Sequence, residues 1–118
     1  MDWNVSGTLA TLIAIADGTV SLYVSPGGGT IGAGAHAPVA AAANSFLEQS
    51  RVAESLLHAA QDFPPPTSNA ATFYLLYRDR TLASAAVPVS ELQVATHPLM
   101  RVGAAAQALL TEVRKVSK

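Results

Sequence analysis

The hydrophobic positions of this chain fall into two strand-spaced regions, each followed by a helix-spaced one. From Thr8 to Ala16, Leu9, Ile13 and Ile15 point to one side, and Ala10, Leu12 and Ala14 to the other. An arm apolar on both faces predicts an interior strand. Thr19 to Ser25 alternates, with Val20, Leu22 and Val24 opposite Thr19, Ser21, Tyr23 and Ser25, which suits an edge or a half-solvated face. Asp17-Gly18 between the two arms predicts a hairpin closed by a type I′ turn, because both residue types tolerate positive φ. The segment Pro26 to Ala35, PGGGTIGAGA, predicts a loop.

Pro38 suits the first turn of a helix, where its missing N–H costs little. From there to about Asp62, Val39, Ala43, Phe46, Ser50, Ala53, Leu57 and Ala60 form one stripe, widened by Leu47 and Leu56. Phe63 and the run Pro64-Pro65-Pro66 predict its end, and Thr67 to Ala71 a polar connection. A second hairpin is expected from Thr72 to Tyr77, through Arg78-Asp79-Arg80, and back from Thr81 to Val87. Its first arm is also apolar on both faces; its alanine-rich return is a weak strand. Pro88-Val89 has room for a fifth short strand. Ser90 to Gln93 fits a capping box opening a helical turn. Thr96 and Pro98 open a final helix with the stripe Leu99, Val102, Ala106, Leu109, Leu110, Val113 and Val116. Arg114, Lys115 and Lys118 close it, in the sense the helix dipole favours.

The expected fold is a single α+β domain over residues 1–118. It has a mostly antiparallel sheet of two β-hairpins (four to five strands) and two main helices, in the order ββα-ββ(β)-α. The hairpin-then-helix plan occurs twice without a sequence repeat. By topology alone this order resembles the profilin, longin and roadblock group of small domains. Roadblock domains usually begin with a helix, whereas only about seven residues precede the first predicted strand here.

Composition changes the picture in one respect. The 118 residues are 50% hydrophobic, although 23 of them are alanine, and only 13% are charged, against roughly 25% in ordinary domains. Seven basic and eight acidic residues give a net charge of −1, so no domain-wide basic field exists to attract nucleic acid or anionic lipid. With no cysteine, disulfides, thiol catalysis and Cys-ligated zinc are excluded. Thin charge cover and a mean hydropathy of +0.31 point to a partner surface. If both helices pack on one face of the sheet, the other must meet a second chain. A homodimer is therefore expected, with a further protein partner as an option.

Ala14-Ile15-Ala16 after an apolar run has the look of a signal cleavage site. Asp2 is acidic, however, and the first basic residue is Arg51, so a strand is the better explanation. No stretch offers the roughly 20 consecutive apolar residues of a spanning helix. A cytoplasmic protein, without membrane or nucleic-acid partners, is expected.

The glycine segment is the motif-like feature. Gly27, Gly29 and Gly32 satisfy G-x-G-x-x-G, and glycines let backbone N–H groups approach a phosphate at a helix start. The preceding strand is a hairpin return, however, and no acidic residue ends a second strand about 20 positions later. Gly29 and Gly34 have the gap of a P-loop, but Ala35 and His36 stand where Lys and Ser/Thr are needed. What survives is an anion or small-ligand site formed by Gly27, Gly28, Gly29, Thr30, Gly32, Gly34 and His36. Against it stands a plain connection, in which glycine serves close backbone approach.

His36, His58 and His97 show no metal-ligand spacing; His58 is expected near the end of the long helix and His97 in a cap. Ser25 lacks a nucleophile-elbow context, and Glu48 and Glu54 share a solvated helix with Arg51. Arg78 and Arg80, near Tyr74 and Tyr77, have the composition of a hairpin tip. No catalytic residue, metal site or cofactor is nominated. The leading expectation is a non-enzymatic interaction or regulatory module that self-associates. The alternative is a small-ligand or anion-binding domain using residues 26–36, and after it an enzyme whose residues meet only in space.

Overall fold

The computed structural model describes residues 1–25 and 27–116, so Pro26 of the glycine segment and Lys118 of the last helix lie outside the described residues. The chain is α+β. Strands β1 (Asp2–Val5), β2 (Thr8–Ala14), β3 (Val20–Val24) and β4 (Gly29–Ile31) form an antiparallel meander. Helix α1 spans Ala37–Val52, and β5 is His58–Ala59. Then come β6 (Ala70–Thr72), β7 (Tyr74–Leu76), β8 (Thr81–Ala83), β9 (Val87–Pro88) and helix α2 (Met100–Val116). The main sheet has the order β4-β3-β2-β1-β6-β9, and a small sheet has the order β5-β8-β7.

The first hairpin forms, with a different turn. Ile15 N–H donates to the Thr19 carbonyl and Gly18 N–H to the Ile15 carbonyl, both at 2.9 Å, which closes a three-residue loop. Only Gly18 is left-handed (φ 99°), the geometry of a type I turn followed by a glycine bulge rather than type I′. The Asp17 carboxylate accepts the Thr19 N–H at 2.9 Å, which holds its pKa below the usual carboxylate value.

Strand β1 is an addition to the expected order. Met1, Trp3 and Val5 alternate with Asp2 and Asn4, and Ser6-Gly7 turns the chain with φ of 51° and 90°. The glycine segment is likewise not all loop, since β4 pairs with β3 and a 3-10 turn follows at Ala33–Ala35.

Helix α1 ends ten residues before the expected boundary. Ala53 is the last stripe residue to be buried; Val52 is 73% and Leu56 47% exposed. The chain instead makes a 3-10 turn at Glu54–Leu56 and supplies β5, which gives the weak β8 a second partner. His58 is therefore a strand residue, not a helix-end residue.

The second hairpin is divided between the sheets: β6 pairs with β1 and β9, while β7 pairs with β8. Pro88 does fall in a short strand. At the division, Ser84 N–H donates to the Phe73 carbonyl, and the buried Ser84 Oγ accepts the Phe73 N–H, both at 2.9 Å. Ser84→Ala is expected to orphan that buried donor and lower stability by about 1–3 kcal/mol, read by urea unfolding. A change under about 0.5 kcal/mol would show that Phe73 N–H finds another acceptor.

The core lies on one side of the main sheet. Trp3, Ala10, Leu12, Val20, Leu22, Ala71 and Val87 meet Val39, Ala43 and Phe46 of α1 and Val102, Ala106, Leu109, Leu110 and Val113 of α2. The two helices also pack on each other. Before α2, Val89–Gln93 is a 3-10 turn in which Ser90 makes no capping bond. His97 does act as a cap: its Nδ1 accepts the Leu99 N–H at 3.1 Å. Among the described residues no helix is long and apolar enough to cross a membrane.

Candidate functional site

Two strands that the sequence marks as apolar on both faces, β2 and β7, approach one another without pairing. Between them lies a cleft of about 780 Å³, within the usual size range of binding pockets. Ile13 to Ala16 form one wall and Tyr74 to Arg78 the other. Phe46, Leu47, Ser50 and Arg51 of α1 and the ring of Phe63 complete the lining. Phe63 stacks at a tilt on Tyr74, with ring centres 5.0 Å apart.

The ladder geometry sets which way each wall points its backbone. Met1 and Leu12 exchange both backbone hydrogen bonds at 2.8 Å, at the closed end of the cleft. Alternate residues of an antiparallel strand face the same neighbour. Ala14, the last residue of β2, therefore directs N–H and C=O away from β3, into the cleft. On the other wall, Phe73 accepts from Ser84, and Tyr77 N–H donates to the Arg80 carbonyl at 2.8 Å. Phe73, Leu75 and Tyr77 thus face β8, whereas Tyr74 and Leu76 turn toward the cleft.

Charge gathers at the end remote from Met1. Tyr77 hydroxyl donates to Glu54 Oε1 at 2.5 Å, and Arg80 reaches the same oxygen at 3.4 Å while lying 4.8 Å above the Tyr77 ring. The bond to Glu54 holds the Tyr77 pKa above the usual tyrosine value. Arg51 and Arg78, both exposed, line the cleft without an ion-pair partner among the described residues. At the closed end, burial lowers the Met1 ammonium to about 6, with Asp2 acting in the opposite direction.

The outer face of the main sheet is a second surface. Leu9, Thr11, Ile13, Ile15, Ser21 and Tyr23 alternate with core-facing residues and share the side away from the helices. Ile15 is 47% and Tyr23 45% exposed. A recess of about 300 Å³ opens here, lined by Leu9, Thr11, Tyr23, Val24, Ser25 and Gly27.

The seven glycine-segment candidates do not converge on one point. Gly27 borders the outer recess. Gly28 and Gly32 are left-handed (φ 103° and 76°), with open space where a side chain would lie. Gly29 and Thr30 are strand residues paired with Tyr23 and Leu22. At Gly29 a Cβ would overlap the Leu22 carbonyl oxygen, and at Gly34 that of Gly18. His36 is the exposed N-cap residue of α1 and makes no side-chain capping bond. Among the described residues no three His, Asp or Glu side chains gather as a metal site would require.

Compared with protein families, curated proteins and solved structures, the chain matches none. The sequence predicts that the two walls of the cleft need cover on both faces, but it does not nominate the cleft as a site. That signal gave no indication that the two strands would face each other.

Proposed function

We propose that this protein is a non-enzymatic, cytoplasmic interaction module that self-associates as a homodimer through the outer face of its main sheet. The observation that carries this reading is the one-sided packing of α1 and α2. It leaves Leu9 and Tyr23 at a shallow recess on the opposite face, with Ile13 and Ile15 further along the same side. An apolar sheet face of this kind is stabilised by meeting another layer, and a second copy supplies a self-complementary one.

Size-exclusion chromatography with light scattering at micromolar concentration tests it. The expected mass is twice the 12.1 kDa of the chain. Tyr23→Glu puts a charge on the half-exposed centre of that face without entering the core, and is expected to give a folded monomer. A wild-type monomer would refute the homodimer.

A further inference from the structure

We propose that the proline run between β5 and β6 is a docking ridge. Its partner is a domain that grips a polyproline helix in a groove lined by aromatic rings. This interaction is separate from self-association and does not depend on it.

Covalent geometry fixes the shape of the run. In Phe63-Pro64-Pro65-Pro66, the residues Phe63, Pro64 and Pro65 each precede a proline. A residue in that position is confined to extended backbone, and each proline ring holds its own φ at about −65°. The result is a short left-handed polyproline helix, with three residues per turn and a rise of about 3.1 Å per residue. Prolines have no N–H to give, so the run cannot join either sheet as an interior strand.

The fold pins this segment at both ends and leaves its middle unpaired. On the β5 side, Ala60 N–H donates to the Thr81 carbonyl at 2.9 Å. On the β6 side, Asn4 Nδ2 donates to the Pro66 carbonyl at 3.3 Å, and Asn69 N–H donates to the Asn4 carbonyl at 2.6 Å. Among the described residues, no backbone group from Gln61 to Pro65 makes a hydrogen bond. The carbonyls of Phe63, Pro64 and Pro65 are thus open acceptors.

Burial follows the threefold repeat. Phe63 and Pro66, one turn apart, share an edge, and that edge is held down: Pro66 is buried and the Phe63 ring leans on Tyr74. Pro64 and Pro65 occupy the other two edges, and both are exposed. Beside them opens a recess of about 380 Å³, bounded by Pro64 to Pro66 and, across from them, by His58, Thr72 and Ala83. The run therefore stands as a ridge with room at its flank for the rim of a groove. Aromatic rings match the flat pyrrolidine faces, and indole N–H or phenol O–H groups supply the donors that the carbonyls lack. Little ordering is needed on binding, because the ridge already has its bound shape.

Three purified, isotope-labelled domains with proline-binding grooves, of the WW, SH3 and EVH1 types, are the probes, each titrated with the full chain and read by NMR. At least one is expected to show shifts confined to its groove, and to lose them when its groove tryptophan is replaced by alanine. The double variant Pro64→Ala, Pro65→Ala is expected to bind about tenfold more weakly with its thermal midpoint nearly unchanged, since both prolines are exposed. If that variant fails to fold, competition replaces it: the peptide Gln-Asp-Phe-Pro-Pro-Pro-Thr is expected to displace the folded chain from the groove.

No shift in any of the three probes at millimolar protein would overturn the proposal, as would equal binding of the double variant. A peptide that binds where the folded chain does not would show the ridge to be covered, and would overturn it too. The run would then be only a stiff spacer between β5 and β6. The Tyr23→Glu protein is expected to bind the probe normally, so failure of the dimer and failure of the ridge are told apart.

Discussion

Gly34→Ala is expected to lower the unfolding free energy by about 3–5 kcal/mol, a large part of the total for a domain of this size. Gly34 sits in the 3-10 turn that leads into α1 and packs against the Gly18 turn of the first hairpin. An added methyl would overlap the Gly18 carbonyl oxygen and come within 3.3 Å of the Val20 nitrogen. Both neighbours are backbone, so no side chain can swing aside. Relief requires parting the two turns, which carry the buried Ala33 and Val20. Gly27→Ala, with open space at its Cβ, is the matched control and is expected to change stability by less than about 0.5 kcal/mol. Denaturant unfolding of the pair measures the difference. Equal, small effects would remove the packing explanation and return Gly34 to the anion-site reading, where substitution costs ligand affinity rather than stability.

Leu109→Ala is the second large effect, with an expected cost of about 2–5 kcal/mol. Leu109 is fully buried on the stripe of α2 that faces the core. Truncation loses the transfer free energy of the removed carbons and leaves a cavity that the surrounding helices and sheet refill only in part. Leu76→Ala is the contrast: the same residue type is 62% exposed at the cleft, and its loss is expected to change stability by less than about 0.5 kcal/mol. Thermal and urea unfolding of both variants would show it. A Leu109→Ala cost below about 1 kcal/mol would mean that α2 does not anchor the core as described.

The helices were the most legible part of the chain. Every α2 stripe residue from Leu99 to Val113 named from periodicity is buried, as are Val39, Ala43, Phe46 and Ala53 before and within the close of α1. Helical burial is decided by local spacing, so the sequence displays it. The end of α1 was not legible, because Leu56, Leu57 and Ala60 continue the stripe in sequence, while in space Leu56 is exposed and Ala60 hydrogen-bonds to Thr81 in the small sheet. β1 was legible in principle, through Met1, Trp3 and Val5 and the Ser6-Gly7 turn. β4 was not, since three residues of a glycine-rich segment become a strand only through pairing with β3.

The candidate surfaces divide in the same way. Apolar residues on both faces of Leu9–Ile15 and of Phe73–Tyr77, with few charges to cover them, are properties of the chain, and they announce unmet surface without saying where it lies. Placing both helices on one side of the sheet and splitting the second hairpin at Phe73 are long-range decisions. They depend on which backbone edges find partners and which side chains find volume. Local pattern therefore determined the elements and the surplus of apolar surface. Only the tertiary packing decided that the surplus lies on the outer face of the main sheet and along the cleft between β2 and β7.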